Sequence, residues 1–109
     1  MMNNSLKDKD INFTLILLPH GHNVNDREWD SGRTVWGFTQ GKTYSNSVFK
    51  DLERWSKEER INTYDLTPYL QIASLTDKLY YNFDGHLNSR GNEVIAQTLF
   101  GILYPKLTH

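Results

Sequence analysis

Asp84-Gly85-His86-Leu87-Asn88 places a carboxylate two residues before an imidazole, and Ser89-Arg90-Gly91-Asn92 then opens an apolar-periodic run. A histidine that works as a general base needs an acid on one ring nitrogen. The acid fixes the tautomer and stabilises the imidazolium that forms. Asp84 and His86 are therefore the candidate catalytic residues, the acid and base of a nucleophile–base–acid system. The competing reading is a loop in which Asp84 and Asn88 cap backbone donors and His86 is a surface residue.

A second group of candidates is His20-Gly21-His22-Asn23, directly after Pro19. It reads as a loop leaving the carboxyl end of a strand, where α/β proteins build their sites. It is either a structural or substrate-lining loop, or a metal site, because alternate residues on an extended segment share a side. His20 and His22 would be the ligands in the second case, but the sequence places no third. Trp29 and Trp36 sit in a long connection and are candidates to cover a cleft. Trp55 reads as core.

The elements that must position these residues follow from patterning. Ile11 to Leu18 begins as alternation and becomes continuously apolar, which predicts a strand buried on both faces of a parallel sheet. Residues 24–43 read as a long surface connection, with Thr34–Thr39 as a short edge strand; three glycines argue against a long helix there. Ser45 or Asn46 caps a predicted helix to about Arg60, with Val48, Phe49, Leu52 and Trp55 on one stripe. Ile61–Leu66 is a short strand stopped by Thr67-Pro68, and Asp65 is a buried polar residue or strand-end cap. A turn of helix follows over 69–75, then an extended piece over 78–81. Asn88 or Ser89 caps a last helix to about Leu103, and Pro105 closes it. Strands alternating with helices imply an α/β fold with parallel pairing and right-handed crossovers. Residues 1–10 read as a frayed lead-in.

Composition narrows the function classes. With 109 residues the chain is one small domain, and 38% hydrophobic residues permit only a modest core. The formal net charge of −1 argues against a nucleic-acid partner held through phosphates. There is no cysteine, so disulfides and thiolate metal sites are excluded. The polar first ten residues lack the apolar stretch of a signal peptide, and Leu15–Leu18 is too short to span a bilayer. No membrane association is expected, and as written the chain is expected to stay in the cytoplasm.

The run from Tyr80 to Ala96, Tyr-Tyr-Asn-Phe-Asp-Gly-His-Leu-Asn-Ser-Arg-Gly-Asn-Glu-Val-Ile-Ala, resembles the C-terminal block of SGNH hydrolases, the GDSL-type esterases and lipases. In that family an Asp and a His just before the last helix complete a serine triad; here they match Asp84 and His86, one residue closer together than in the commonest form. Phe13–Pro19 and Ile61–Pro68 resemble late sheet strands of the same fold, so the resemblance covers roughly residues 11–105. It implies a partial three-layer α/β/α, flavodoxin-like domain whose N-terminal half is missing, with residues 11–109 as the C-terminal half. It implies ester hydrolysis or O-acyl transfer on an acylated carbohydrate or lipid, with no cofactor and no metal. Gly21-His22-Asn23 resembles the family's Gly-x-Asn block, which makes Asn23 a candidate oxyanion donor. The nucleophile block is not recognisable: none of Ser5, Ser31, Ser45, Ser47, Ser56, Ser74 and Ser89 follows an apolar strand in a Gly-Asp-Ser motif. The expectation is a fragment inactive alone, completed by a separate half or self-associating. The alternatives are a glycan-binding or interaction module, and a metal-binding protein using His20 and His22.

Overall fold

The computed structural model describes residues 13–107. The expected lead-in over 1–10 lies outside these, as do Ile11 and Asn12. Strand β1 (Thr14–Leu17) is followed by two single-turn helices, α1 (Gly21–Val24) and α2 (Gly32–Val35). Then come α3 (Ser47–Glu58), strand β2 (Asn62–Asp65), α4 (Thr67–Ala73) and α5 (Ser89–Leu107). β1 and β2 pair in parallel, with Thr14 opposite Asn62 and Leu17 opposite Asp65. The chain is thus α/β, with a two-stranded parallel sheet.

Side chains alternate across a strand, so the register partners Ile16 and Tyr64 share a face, and both pack on the core. That core is Val24, Leu66, Leu70, Leu79, Tyr80 and Val94, with Leu87, Ile95, Leu99 and Ile102 against it. It joins the carboxyl ends of the sheet to α4, to the segment before the Asp84–His86 loop and to α5. α5 starts where Asn88 Oδ1 accepts the Gly91 amide at 2.9 Å. A Cβ on Gly91 would lie 2.2 Å from the Leu79 carbonyl oxygen, so only glycine lets the helix approach this closely. Asn46 caps α3, its Oδ1 accepting the Phe49 amide at 3.2 Å. Asp65 Oδ1 accepts the Thr67 amide at 2.9 Å, tying the end of β2 to the first turn of α4.

Four expectations change. The Thr34–Thr39 edge strand is absent. The Trp36, Gly37 and Phe38 amides donate to the carbonyls of Arg33, Thr34 and Arg33 in turn, so these groups are closed locally and offer no ladder. The loop expected at His20–Asn23 winds into α1. Trp55 is half-buried; the buried residue of α3 is Ser56, and Val48 is 61% exposed. α5 runs through Pro105 instead of ending before it. The ring removes one N–H whose partner would be the carbonyl of Gly101, an exposed residue whose carbonyl water can satisfy.

The sheet is not covered as a buried parallel sheet normally is. In β1 only Leu17 is buried and in β2 no residue is; Leu18, just beyond β1, is 46% exposed, and Ile72, Leu75 and Phe100 elsewhere are exposed too. The radius of gyration of 15.9 Å exceeds the roughly 13 Å of a compact chain of this length. No helix among the described residues is long and apolar enough to cross a membrane.

Candidate active site

The candidate acid and base sit on a hairpin-like loop. Its base is closed by an antiparallel bridge between Tyr80 and Leu87. The Asn88 amide donates to Leu79 O at 2.8 Å and the Tyr81 amide to His86 O at 2.9 Å. Within the tip, Asp84 Oδ1 accepts the His86 amide at 3.0 Å. Its other oxygen, Oδ2, stands 3.6 Å from His86 Nδ1. The carboxyl group thus shapes the turn and faces the ring nitrogen at slightly more than hydrogen-bond length. Both side chains are exposed, His86 at 83%, so the ring is free to meet a ligand.

Trp29 holds this tip from below. Its Nε1 donates to Phe83 O at 2.9 Å. Gly32 N donates to Asn82 O at 2.7 Å. Gly85 lies over the indole with φ +78°, and a Cβ there would fall 3.1 Å from Trp29 Cε2. The glycine between acid and base is required twice over, by backbone and by contact. Gly85→Ala should lower unfolding free energy by roughly 1–3 kcal/mol; urea unfolding followed by tryptophan fluorescence checks this, and an unchanged midpoint would refute it.

Asp84, Gly85 and His86 line a cleft of about 580 Å³ together with His20, His22, Trp29, Trp36 and Phe38. The structure therefore brings together the two histidine-bearing segments that the sequence singled out 64 residues apart. Trp29 and Trp36 both line the cleft, the first buried and the second 72% exposed. His22 is buried, its ring 3.8 Å from that of Phe38 in a stack and 5.7 Å from His20 in a near-parallel one. Its Nδ1 is buried without a hydrogen-bond partner. Burial first, then the nearby His20 and Arg33, lower its pKa to about 4, so at neutral pH it is an uncharged imidazole.

Asn23, the oxyanion candidate of the Gly-x-Asn resemblance, lies outside the cleft lining with its side chain engaged elsewhere. Its Oδ1 accepts the His20 amide at 3.2 Å and its Nδ2 donates to Tyr44 O at 3.1 Å. The first bond caps α1 and the second ties it to the segment before α3; the side chain lines a different cavity, with Asp65, Thr67 and Gln71. The extended geometry assumed for a His20–His22 metal pair is replaced by a helix start. Among the described residues no group of three or more His, Cys, Asp or Glu is placed to hold a metal. No described serine lines the cleft. Ser74 instead donates to Glu28 Oε2 at 2.6 Å and Ser56 to Leu52 O at 2.6 Å.

Two residues escaped the sequence reading. Glu28 and Arg33 are both fully buried. Glu28 Oε2 accepts the Leu79 amide at 2.8 Å, and Oε1 accepts the Tyr80 amide at 3.3 Å. Arg33 donates to the carbonyls of Asn25, Glu28 and Lys42. The only available signal was charge beside tryptophan in a glycine-rich connection, a pattern that solvated loops share.

Comparison with protein-family models, with curated proteins and with solved structures finds no match.

Proposed function

We propose that this chain supplies the acid–base half of a serine-type esterase or acyltransferase of the SGNH kind. The observation that carries the reading is the Asp84–His86 pair, 3.6 Å apart on a pinned loop at an aromatic cleft. In this mechanism His86 takes a proton from an attacking hydroxyl and returns it to the leaving group. Asp84 orients the ring and stabilises its charged form. The acyl group passes to that hydroxyl, then to water or a sugar hydroxyl. The nucleophile comes from a segment outside the described residues. The free edge of β1 is where further parallel strands would extend the sheet into a three-layer flavodoxin-like domain, and the exposed Leu18, Ile72, Leu75 and Phe100 are apolar surface for it to cover. The apolar lining of Trp29, Trp36 and Phe38 suits an acylated carbohydrate or lipid.

Hydrolysis of p-nitrophenyl acetate tests this. The purified chain alone and His86→Ala should give the same rate. Co-expressed with a separate segment carrying the Gly-Asp-Ser strand of an SGNH hydrolase, the chain should turn over, and His86→Ala should lower kcat by about 10³-fold or more. A rate indifferent to His86 in that complex would overturn the reading. The exposed Trp36 favours one other reading, a glycan-binding module: saturable oligosaccharide binding by a stable monomer without esterase activity would establish it.

A further inference from the structure

We infer that Glu28 and Trp29 form a two-residue clamp that sets where Asp84 and His86 stand, with Glu28 a positioning residue for the base. This rests on the reading of Asp84–His86 as the acid–base pair. The two consecutive side chains take opposite ends of the same hairpin. Glu28 holds its base: one carboxyl group accepts the amides of Leu79 and Tyr80 and the hydroxyl of Ser74. From there two backbone bonds reach the candidate base, Asn88 N to Leu79 O and Tyr81 N to His86 O. Trp29 holds its tip, donating to Phe83 O and carrying Gly85 on its ring.

The backbone shows that this arrangement is imposed by the packing around it. Trp29 has φ +56°, a left-handed conformation unfavourable for a bulky residue. That turn lets residues 28 and 29 diverge to base and tip, and Arg33 braces it through the Glu28 carbonyl. A buried carboxyl group is costly unless its oxygens are hydrogen-bonded. Here both oxygens bond to the segment that leads into the Asp84–His86 loop. Strained backbone persists only where the surrounding structure over-determines it, and here the bonds that do so run to the hairpin carrying Asp84 and His86.

Amide exchange in the full chain, read by ¹⁵N-edited NMR, tests the clamp without needing catalysis. In Glu28→Gln, which keeps one acceptor and introduces a wrongly placed donor, the Tyr81 and Asn88 amides should exchange at least about tenfold faster. The Leu66 amide, bonded to Leu17 O at the end of the sheet, should change less than about twofold. Ile61→Ala, a general destabilisation, should accelerate Leu66 at least as much as the hairpin. Trp29→Phe removes the indole N–H and the part of the ring that carries Gly85; it should free the Gly32 and His86 amides at the tip while Tyr81 and Asn88 stay protected. Uniform acceleration in Glu28→Gln, or none at Tyr81 and Asn88, would overturn the inference, and Trp29→Phe decides it independently should Glu28→Gln not fold. In the completed enzyme Glu28→Gln should lower kcat with KM within about twofold. If that enzyme proves inactive, the proposed function fails, while the exchange result still decides the clamp.

Discussion

Arg33→Met should remove a large part of the stability of this chain, on the order of 3–5 kcal/mol. Methionine keeps much of the buried volume, so cavity formation is a minor part of the cost. The larger part is hydrogen bonding. The guanidinium is fully buried and donates through Nε to Glu28 O at 3.1 Å, through Nη1 to Lys42 O at 2.6 Å and through Nη2 to Asn25 O at 2.7 Å. Removing it leaves three carbonyls inside the connection without their donor, at about 1–3 kcal/mol each where water cannot replace it. Chains of this length have roughly 5–15 kcal/mol in total. Arg33→Lys should recover only a small part, because one ammonium cannot reproduce a planar fork that reaches three acceptors in different directions. Urea unfolding monitored by near-ultraviolet circular dichroism measures it. A loss below about 1 kcal/mol for Arg33→Met would show that the three carbonyls find other partners and that Arg33 does not hold the connection.

The same residue explains where the sequence is legible and where it is not. β2, α3 and α5 are readable because their determinants are local: alternation, an Asn46 cap, an apolar period of 3.6. The Asp84–His86 pair is readable for the same reason, since acid and base lie within one turn. The connection over residues 24–43 is not, because its order comes from contacts that no local pattern encodes. Glu28 meets Leu79 and Tyr80 some fifty residues away, and Arg33 binds backbone carbonyls, which carry no sequence signature. Alternation over Val35-Trp36-Gly37-Phe38 suggests an edge strand, yet Trp36 and Phe38 face the cleft from a turn. Asn23 shows the converse: the residue matches a motif, while its oxygen caps α1 and its amide nitrogen bonds Tyr44 O, placements no local pattern announces. The two-stranded sheet matches the expected parallel pairing, while the covering of both faces expected for β1 is incomplete, only Leu17 of the strand being buried.

Acid should loosen the cleft through His22. Its pKa is about 4 in the folded chain against 6.5 for an ordinary histidine. The folded form therefore binds fewer protons than the unfolded form between these values, and stability rises with pH across that window. The contribution is complete above about pH 6.5 and is lost as pH falls toward 4, amounting to roughly 3–4 kcal/mol at most at 1.36 kcal/mol per unit. Protonation is opposed by the ring's burial, then by the neighbouring His20 and by the positive Arg33. The Phe38 stack and the edge of Tyr44 surround the ring with aromatic surface. His22→Phe keeps an aromatic ring in the stack and cannot titrate. Unfolding free energies of both proteins between pH 7 and 4 isolate the effect, since every other group titrates in each. The stability of the wild type relative to His22→Phe should fall steadily below pH 6.5, and tryptophan emission should shift as Trp29, 5.5 Å from the His22 ring, feels the new charge. A difference constant with pH would mean that His22 is as easily protonated folded as unfolded, and that the stack leaves the ring open to water. If the difference follows the expected course, the buried His22 ring is a weak base held neutral by its surroundings, and it shapes the cleft wall while His86, exposed beside Asp84, is open to a ligand.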